Sequence, residues 1–372
     1  MNQERHTFKD VLRHKRTAAA VLIGVSALAL TTAYITEHST MNLTLEHARI
    51  APEPPEITML KRYERETGVA PRMMEFITMP SNNAEARLQA ASMAATLKAW
   101  SASETSPIVI MEPTFDSGTS LDLTDLEAGK YDSALNTYFG SLKDAGVTDV
   151  QMGTWVPLPE PNIPTWKDGV TSPETFDINV TKIAGVIKKH FPSTPVSIML
   201  DSKTYLPSPD PKWNNGTTSA DQLLKYLNIQ PGLIDSVGLQ GFTSSPNDEP
   251  ADYLNGKVAA AAAKKLGVKH VWFNTGTYAK SYNPSDPKSP LTATGDRRSH
   301  ILMGILTQAQ AAQDTGLQVD FINIFAENTY NGQDGNADFR YSTPEDLSLL
   351  HAFVKDANQK SIPVTIFDAP KR

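Results

Sequence analysis

The sequence predicts an α/β protein with a single (β/α)8 barrel, a TIM barrel, preceded by an N-terminal transmembrane helix or signal anchor. Three observations predict this fold. Strand-like and helix-like segments alternate from about residue 73 to the C-terminus. The strand-like segments are apolar throughout, which is typical of parallel strands covered on both faces. Near the N-terminus an uncharged run follows a basic segment, which indicates that the start stays in the cytoplasm and the rest crosses a membrane.

The N-terminal region divides into a basic cytoplasmic segment, 1–16, and an apolar segment, 17–36. The apolar segment is at the lower limit of length for spanning a bilayer. The cleavage-like sequence Ala27-Leu28-Ala29 lies inside the apolar run, which favours an uncleaved anchor over a signal peptide. We therefore expect a single-pass protein of the cell membrane with one extracellular domain, 37–372. If the segment is cleaved, that domain is secreted.

Eight segments are expected to be barrel strands. Seven are clear: 73–80, 107–115, 149–156, 196–202, 234–242, 270–278 and 319–328. A weaker candidate, 41–50, precedes them and completes the eight. This number favours a closed barrel over an open sheet. A nucleotide-binding sheet is the weaker alternative, because no G-x-G-x-x-G sequence or phosphate-binding loop follows any strand.

The helices are predicted from apolar periodicity and from their caps. The segment 82–100 is expected to bury a face containing Leu88, Ala91 and Ala95. A polar cap followed by proline predicts helices that begin after Ser172 and Thr343. The remaining predicted helices cover 131–146, 220–227 (capped by Ser219), 251–266 and 298–315.

The composition excludes several classes of function. A net charge of −7 argues against nucleic acid as the main partner. The absence of cysteine excludes disulfides and cysteine-ligated zinc. The eight histidines are scattered without H-x-x-x-H or H-E-x-x-H spacing, and no G-x-S-x-G follows a strand. We therefore expect neither a metal nor another cofactor.

The C-terminal ends of the predicted strands carry acids, amides and aromatic residues. Active sites of (β/α)8 barrels lie at these ends. The side chains there include Glu112, Trp155, Glu160, Asp201, the run Gln240-Gly241-Phe242, Trp272, Asn274, Thr275, Tyr278 and Glu327. Aromatic faces stack on sugar rings, amides and acids bind hydroxyl groups, and two carboxylates carry out acid–base or nucleophilic work. Each residue alone has a structural explanation, so the sugar-site prediction depends on the whole set sharing one rim.

The order of these motifs resembles glycoside hydrolase family 26, the (β/α)8 enzymes of clan A that cleave β-mannans and some β-glucans. The likeness runs from about residue 41 to the C-terminus. It is carried by "LKRYERETGVAPRMMEFITM", "IVIMEPTF", "LEAGKYDSALNTYFGSLKDAG", "PEPNIPTW", "QPGLIDSVGLQGF" and "NIFAENTYNGQDGNADFRYSTPEDL". Glu160, Asn162 and Trp166 match the family's acid/base segment, in the loop after the predicted fourth strand. The resemblance thus implies that Glu160 is the general acid/base.

The chain also departs from the family pattern. Pro159 stands where the family has histidine, Phe242 where it has tyrosine, and Thr275 where it has the nucleophile of its seventh strand. A threonine hydroxyl with no adjacent base is a poor nucleophile for glycoside cleavage. We therefore expect the second carboxylate to be Glu327, with Glu112 and Asp201 as alternatives. An inverting mechanism would suit such a pair.

The leading hypothesis is an exported, membrane-tethered glycoside hydrolase-like protein that acts on a β-linked polysaccharide of the mannan or glucan type. Glu160 and Glu327 would be catalytic. The expected substrate-binding residues are Glu112, Trp155, Asn162, Trp166, Asp201, Trp272, Asn274 and Tyr278. The alternative is a catalytically inactive barrel that binds polysaccharide at the cell surface. A purely structural membrane-tethered domain is a third option, which the polar and aromatic rim disfavours.

Overall fold

The computed structural model describes residues 55–102, 106–114, 121–159, 172–201, 224–243, 249–281, 283, 289–326 and 337–367. Within these ranges apolar strands alternate with helices. The main strands are β1, in the two pieces Ala70–Pro71 and Met74–Thr78, β2 Ile108–Glu112, β3 Thr154–Pro157, β4 Ser197–Asp201, β5 Ser236–Thr243, β6 His270–Thr277, β7 Gln318–Phe325 and β8 Val364–Phe367. The alternation of strands and helices confirms the predicted α/β class.

The eight strands form a closed parallel ring. Parallel pairing joins β1 to β2, β2 to β3, and each strand from β4 to β8 to the next. A bridge between Trp155 and Val196 connects β3 to β4. The ring closes where Ala70, at the start of β1, pairs with Thr365 of β8. The backbone N–H of Arg72 extends this contact to Ile366 O at 2.8 Å.

The strand that completes the ring differs from the predicted one. The predicted strand 41–50 lies outside the described residues, and Val364–Phe367 is the eighth barrel strand. Its apolar side chains are buried, and it pairs with both β7 and β1. Every strand number in the sequence-based scheme is therefore one too high. Trp155 lies on the third strand of the ring, Asp201 ends the fourth, and Thr275 lies on the sixth.

The predicted strand 149–156 is half helix. Asp149–Met152 forms one helical turn, because Thr148 and Gln151 make a capping box at its start. Gly153 ends this turn with φ 64°, and a Cβ there would overlap Pro107. The strand begins only at Thr154. The true strand is therefore four residues long rather than eight.

Helices cover the outer face of the ring. They are α1 Pro55–Thr67, α2 Asn83–Ala102, α3 Leu123–Glu127, α4 Asp132–Asp144, α5 Asp149–Met152, α6 Pro173–His190, α7 Pro250–Tyr253, α8 Gly256–Leu266, α9 Gly295–Gln313 and α10 Pro344–Gln359, with a 3-10 turn at Leu224–Leu227. Both predicted proline-assisted caps are confirmed. The Ser172 hydroxyl accepts from Thr175 N at 3.1 Å, and Thr343 forms a capping box with Asp346.

The predicted buried face of α2 is wrong. Leu88 is 75% exposed, and Ala91 and Ala95 are also exposed. The buried stripe is Ala86, Ala90, Met93, Ala94 and Leu97. Alanine occurs on both sides of this helix, so its apolar pattern defines no single face. Packing against the barrel and α4 selects the stripe with Met93 and Leu97.

Two layers of apolar side chains result from the alternation of residues along the strands. Odd-numbered residues of β6, such as Val271 and Phe273, lie in the core between barrel and helices. The barrel-interior cluster consists of Met74, Ile108, Ile110, Val156, Met199, Trp272, Tyr278, Phe321, Phe325, Ala337, Phe339 and Phe367. The barrel is consequently filled by side chains and is not a pore.

A stack of three side chains fills the N-terminal half of the barrel interior. The rings of Trp272 and Phe321 stack with centroids 5.5 Å apart, and the Arg72 guanidinium lies 3.8 Å from the Phe321 centroid. Burial lowers the pKa of Arg72 to about 10, so it is still a cation at neutral pH. Cation–π attraction helps to hold the charge in this desolvated position.

In the part of the chain that the structure describes, no helix combines the length and apolar character needed to cross a membrane. The predicted membrane segment, 17–36, lies outside those residues. The anchor therefore stays a prediction.

Candidate functional site

The C-terminal ends of the strands meet at one mouth of the barrel, and inward-facing polar residues collect just inside it. Gln240 of β5, Asn274 of β6, Asn323 of β7 and Thr365 of β8 are paired with one another across the sheet in register. Asp201, the last residue of β4, is the register partner of Gln240 on the other side. Five neighbouring strands thus bring polar residues to one level.

Four of these residues form a hydrogen-bonded chain, which we call the amide relay: Thr365, Asn323, Asn274 and Gln240. The Thr365 hydroxyl donates to Asn323 Oδ1 at 2.8 Å. Asn323 Nδ2 donates to Asn274 Oδ1 at 3.1 Å, and Asn274 Nδ2 donates to Gln240 Oε1 at 2.7 Å. Thr365, Asn323 and Asn274 each donate toward β5, where Gln240 accepts, so the chain has one direction. Linked hydrogen bonds of this kind polarise and strengthen one another.

Burial changes along the relay. Thr365, Asn323 and Asn274 are buried, with Asn323 fully inaccessible, whereas Gln240 is half-buried. The relay therefore starts inside the protein and ends at an amide that reaches the mouth. These hydrogen bonds satisfy the polar atoms of the buried amides, which would otherwise be unfavourable in the apolar interior of a parallel barrel.

Phenylalanine side chains lie above the relay, toward the mouth. Phe242, Phe325 and Phe339 contact one another with centroids 5.2–5.8 Å apart, and Phe367 lies 5.0 Å from Phe325. Gly276 makes room for them, because a Cβ there would be 3.0 Å from Phe339. We call these four residues the phenylalanine cluster. It covers the mouth on the β5–β8 side and leaves Phe242 half-exposed at its edge.

The loop that carries Phe339 is fixed from both sides. A small antiparallel sheet joins Ala337–Asp338 to Lys280–Ser281, and the latter pairs with Leu291–Thr292. Beneath it Arg298 is 1% exposed and forms an ion pair with Asp346. The same guanidinium donates to Thr277 O at 3.3 Å and Phe339 O at 3.5 Å. Arg298 therefore connects the ends of β6, α9 and α10 to the loop after β7.

Glu112 ends β2 on the inward side, since it alternates with Ile108 and Ile110 of the barrel-interior cluster. Its side chain is 5% exposed, and its register partner is Thr78 of β1. A carboxylate so deeply placed needs hydrogen-bonding partners to remain ionised. Glu112 therefore lies at the predicted mouth, on the side opposite the phenylalanine cluster.

Several predicted site residues have no described side chain. Glu160, Asn162, Trp166 and Glu327 lie outside the described residues. Asp201 is described only as the last residue of β4. Their proposed roles stay predictions. Their nearest described neighbours are the ends of β3, β4 and β7.

Trp155 is not a substrate-binding residue, contrary to the sequence-based prediction. It is fully buried between β3 and α4, where its ring lies 5.0 Å from Phe139 and 6.3 Å from Tyr138. Its indole N–H donates to Met152 O at 2.9 Å. The side chain points away from the barrel interior, because the neighbouring Val156 is the inward residue. It packs the outer core.

Trp272 and Tyr278 are also core residues. Trp272 is 1% exposed and lies deeper in the barrel than the amide relay, since Asn274 is the next inward residue toward the mouth. Tyr278 is 2% exposed and belongs to the same barrel-interior cluster. The prediction that these two rings contact substrate is therefore wrong. Asn274 faces inward as expected, but its 1% exposure makes it a support for Gln240.

Thr275 faces the helices. It alternates with Val271 and Phe273 of the outer core, and it is 1% exposed. Its hydroxyl has no hydrogen-bond partner among the described residues. Thr275 therefore offers no group to a ligand inside the mouth. The position that the resemblance assigns to a nucleophile carries none here.

The prediction of site residues missed the importance of Gln240, Phe242 and Asn323. Gln240 and Phe242 stood out as a strand-end pair, and their i, i+2 spacing was enough to place both on one face. Asn323 is a single amide in the apolar run "VDFINIFA", where it is fully buried. A buried amide requires a partner, and that requirement is the signal that could have drawn attention to it.

Metal chemistry has no visible site in the described part of the chain. No group of three or more histidine, aspartate or glutamate side chains there is arranged to hold an ion.

The comparisons with known proteins give fold-level likeness only. No protein-family model and no curated protein matches the sequence. Among solved structures, the chain is similar to a fungal β-1,4-galactanase, with 12% identity over 78% of this chain and 89% of that one, and a TM-score of 0.47. It is also similar to the family 1 β-glucosidase of Thermotoga maritima with isofagomine lactam, with 8% identity over 82% and 86% of the two chains, and a TM-score of 0.49. Likeness of this degree assigns neither activity nor substrate.

Proposed function

We propose that the protein is a glycoside hydrolase-like protein that acts on a β-linked polysaccharide at the C-terminal mouth of its barrel. The observation that carries the proposal is the ring order of the strands. Glu160 follows the end of β3 by three residues, and Glu327 follows the end of β7 by two. In a ring of eight, β3 and β7 lie opposite each other. Acids that follow facing strands can flank a glycosidic bond from its two sides.

The rest of the mouth supports a sugar ligand. It combines a half-buried amide, Gln240, with a half-exposed aromatic ring, Phe242, on the same face of β5. Glu112 ends a strand on the other side of the mouth. Amide and carboxylate groups bind hydroxyls, and an aromatic ring packs on the apolar face of a pyranose. The opposed positions of β3 and β7 favour a wide carboxylate pair, and so an inverting reaction.

The corrected strand numbers give Asp201 more weight as an alternative acid. The resemblance implies an acid/base after the fourth strand, and Asp201 ends the fourth strand of this ring. Glu327 follows the seventh strand, where the resemblance implies the nucleophile. Asp201 and Glu327 are thus the second pair to test. Both pairs share Glu327.

Kinetics of single variants test the proposal. Full-length protein is assayed on β-mannan, β-glucan and xylan, with Glu160→Gln, Asp201→Asn and Glu327→Gln, and with exposed Glu345→Gln as the matched control. Loss of a general acid or base is expected to lower kcat on the order of 100-fold or more. The control should retain wild-type kcat. Full activity in Glu327→Gln would remove both carboxylate pairs from the mechanism.

A second candidate function is polysaccharide binding without hydrolysis. It is favoured where the motif match, which assigns the nucleophile to Thr275, is preferred over the strand order, which assigns it to Glu327: the Thr275 side chain faces the helices and offers no group to the mouth. Wild-type protein that binds one of the polymers and hydrolyses none would support this candidate.

We also propose that segment 17–36 anchors the barrel to the cell membrane with the domain outside. The basic segment before it and its uncharged composition support this orientation. Protease treatment of intact cells tests it. The proposal fails if the domain is protected from protease until the membrane is opened.

A further inference from the structure

Helix α1 covers the place in the barrel that belongs to the last helix of a regular (β/α)8 fold. In that fold a helix follows each strand, so a helix that comes after β8 covers the junction between β8 and β1. Here α1, which comes before β1, contacts β1, β8 and α10 at this junction. The N-terminal part of the chain therefore joins the barrel through α1.

Helix α10, the neighbour of α1, begins at the mouth. Asp346 in its first turn forms an ion pair with Arg298, and the same guanidinium donates to Thr277 O at the C-terminal end of β6. The other end of α10 leads into β8, which starts at Val364. Helix α10 therefore runs from the mouth to the opposite end of the barrel, where the strands begin.

Helix α1 runs in the same direction as α10. The Tyr63 hydroxyl accepts a hydrogen bond of 3.3 Å from Tyr341 N, just before α10 begins. One turn later in α1, Thr67 O lies 3.2 Å from Nδ1 of His351, which is two turns into α10. The first residue of α1, Pro55, precedes Tyr63 by about two turns, and thus by about 12 Å toward the mouth side. The chain before α1 is therefore attached at the rim of the mouth.

We propose that the mouth of the barrel faces the membrane and that lipid headgroups form the surface opposite it. The inference rests on the proposed anchor, segment 17–36. Residues 37–54 connect that segment to α1. A chain of this length spans at most about 60 Å, and a flexible one spans about 20–25 Å on average. Because the barrel cannot overlap the bilayer, attachment at the rim directs the opposite end away from the membrane.

The rival arrangement places the opposite end of the barrel on the membrane. Exposed lysines in the last turns of the outer helices, among them Lys143, Lys189, Lys264 and Lys265, would be attracted to anionic lipid headgroups. This attraction requires anionic lipid, whereas a tether acts at every lipid composition. Vesicles with and without anionic lipid therefore distinguish the two arrangements.

Single cysteines can report which end lies near the membrane, because the chain contains no cysteine. Full-length protein is reconstituted in phosphatidylcholine vesicles that contain a headgroup-labelled acceptor lipid. A donor dye is attached to Glu345→Cys or, as the matched control, to Asn358→Cys. Both side chains are exposed, and they lie about 20 Å apart along α10. Energy transfer should be more efficient from Glu345→Cys, at the mouth, than from Asn358→Cys.

A second pair of cysteines lies on another side of the ring. Lys130 is exposed at the mouth between α3 and α4, and Val150 is 88% exposed at the opposite end, just before β3. Transfer should again be more efficient from the mouth position, Lys130→Cys, than from Val150→Cys. A difference in the α10 pair alone would mean that the barrel lies on its side, which would overturn the proposed orientation.

A longer tether tests the cause of the orientation. A glycine–serine segment inserted before α1 should reduce the difference in transfer within both pairs, because a longer flexible chain restrains the barrel less. An unchanged difference would overturn the role of the tether.

The outcomes separate this inference from the proposed anchor, and none of them depends on a sugar. More efficient transfer from both mouth positions, in phosphatidylcholine vesicles and in vesicles with added phosphatidylglycerol, supports both proposals. Equal or reversed transfer in protein that floats with either kind of vesicle overturns the orientation and leaves the anchor standing. Protein that does not float with the vesicles shows that the anchor fails, and the orientation fails with it.

Discussion

Trp272 donates its indole N–H to the Ser197 hydroxyl at 2.7 Å, across the full width of the intervening strand β5. The indole passes over Gly238. The ring fits there because glycine has no side chain, since a Cβ at this position would overlap the six-membered ring. Three neighbouring strands thus share one contact inside the barrel. Glycine at 238 is needed for packing space and not for an unusual backbone angle.

Gly238→Ala should therefore destabilise the barrel by about 1–3 kcal/mol, because overpacking forces the Trp272 ring out of position. The measurement is the free energy of unfolding by urea. Gly185→Ala is the control, since Gly185 lies in α6 with no atom within 4 Å of an added Cβ. Alanine should stabilise that helix by about 0.5–1 kcal/mol. Equal stability of Gly238→Ala and wild type would contradict the packing argument.

Arg298→Met should destabilise the protein by about 3 kcal/mol, because it removes a buried cation that pairs with a partly buried carboxylate. Arg298 is 1% exposed and its partner Asp346 is 15% exposed at the side chain. The variant should also release the loop that carries Phe339, whose carbonyl accepts from Arg298. Chemical denaturation measures the first effect, and limited proteolysis of the loop measures the second.

The control for Arg298 is a surface arginine. Arg62 pairs with Glu66 at 3.0 Å in α1, but its side chain is 43% exposed. Arg62→Met should change the free energy of unfolding by less than about 1 kcal/mol. If both arginine variants cost the same, burial would not be the source of the Arg298 effect.

The type and order of the elements could be predicted from the sequence better than which face of each element packs against the barrel interior or the helices. Apolar strands alternating with helices were sufficient for a parallel barrel of eight strands. The identity of the eighth strand depended on pairing between Ala70 and Thr365, which lie at opposite ends of the chain. Local patterns carry no information on such a contact. The short segment Val364–Phe367 was therefore not among the predicted strands.

The predicted site contained errors because the sequence does not show which face of each strand points into the barrel. When both faces of a strand are buried, apolar residues alone do not tell which face is inside. Trp155 was assigned to the mouth but lies in the outer core, and Trp272 lies deep inside the barrel. Gln240 and Asn274 are polar and were placed correctly at the level of the strand ends. Their connection through the buried Asn323 needed the structure.

Trp155→Phe should lower stability without affecting sugar binding. The variant loses the hydrogen bond to Met152 O and part of the contact with Tyr138 and Phe139. A loss of about 1–2 kcal/mol in the free energy of unfolding is expected from these two effects. The affinity for oligosaccharide should stay at the wild-type value. Weaker sugar binding in a well-folded Trp155→Phe protein would show that the ring reaches the ligand.

Asp177→Asn should stabilise the protein at neutral and alkaline pH but not at pH 4. Burial raises the pKa of Asp177 to about 6, and Glu174 adds to this while Asn228 N–H and Lys265 oppose it. A carboxyl whose folded-state pKa is raised destabilises the fold when it ionises, so the cost is absent below about pH 4 and complete above about pH 6. Asparagine can still accept from Asn228 N, now 3.1 Å from Asp177 Oδ2. The expected gain is about 2 kcal/mol at pH 8, measured as the free energy of unfolding between pH 4 and 8.

Asp122→Asn is the matched control, because the Thr124 N–H bonds lower the pKa of Asp122 and its ionised form stabilises the fold. A gain for Asp177→Asn that is equal at pH 4 and pH 8 would show that the buried charge is not its cause.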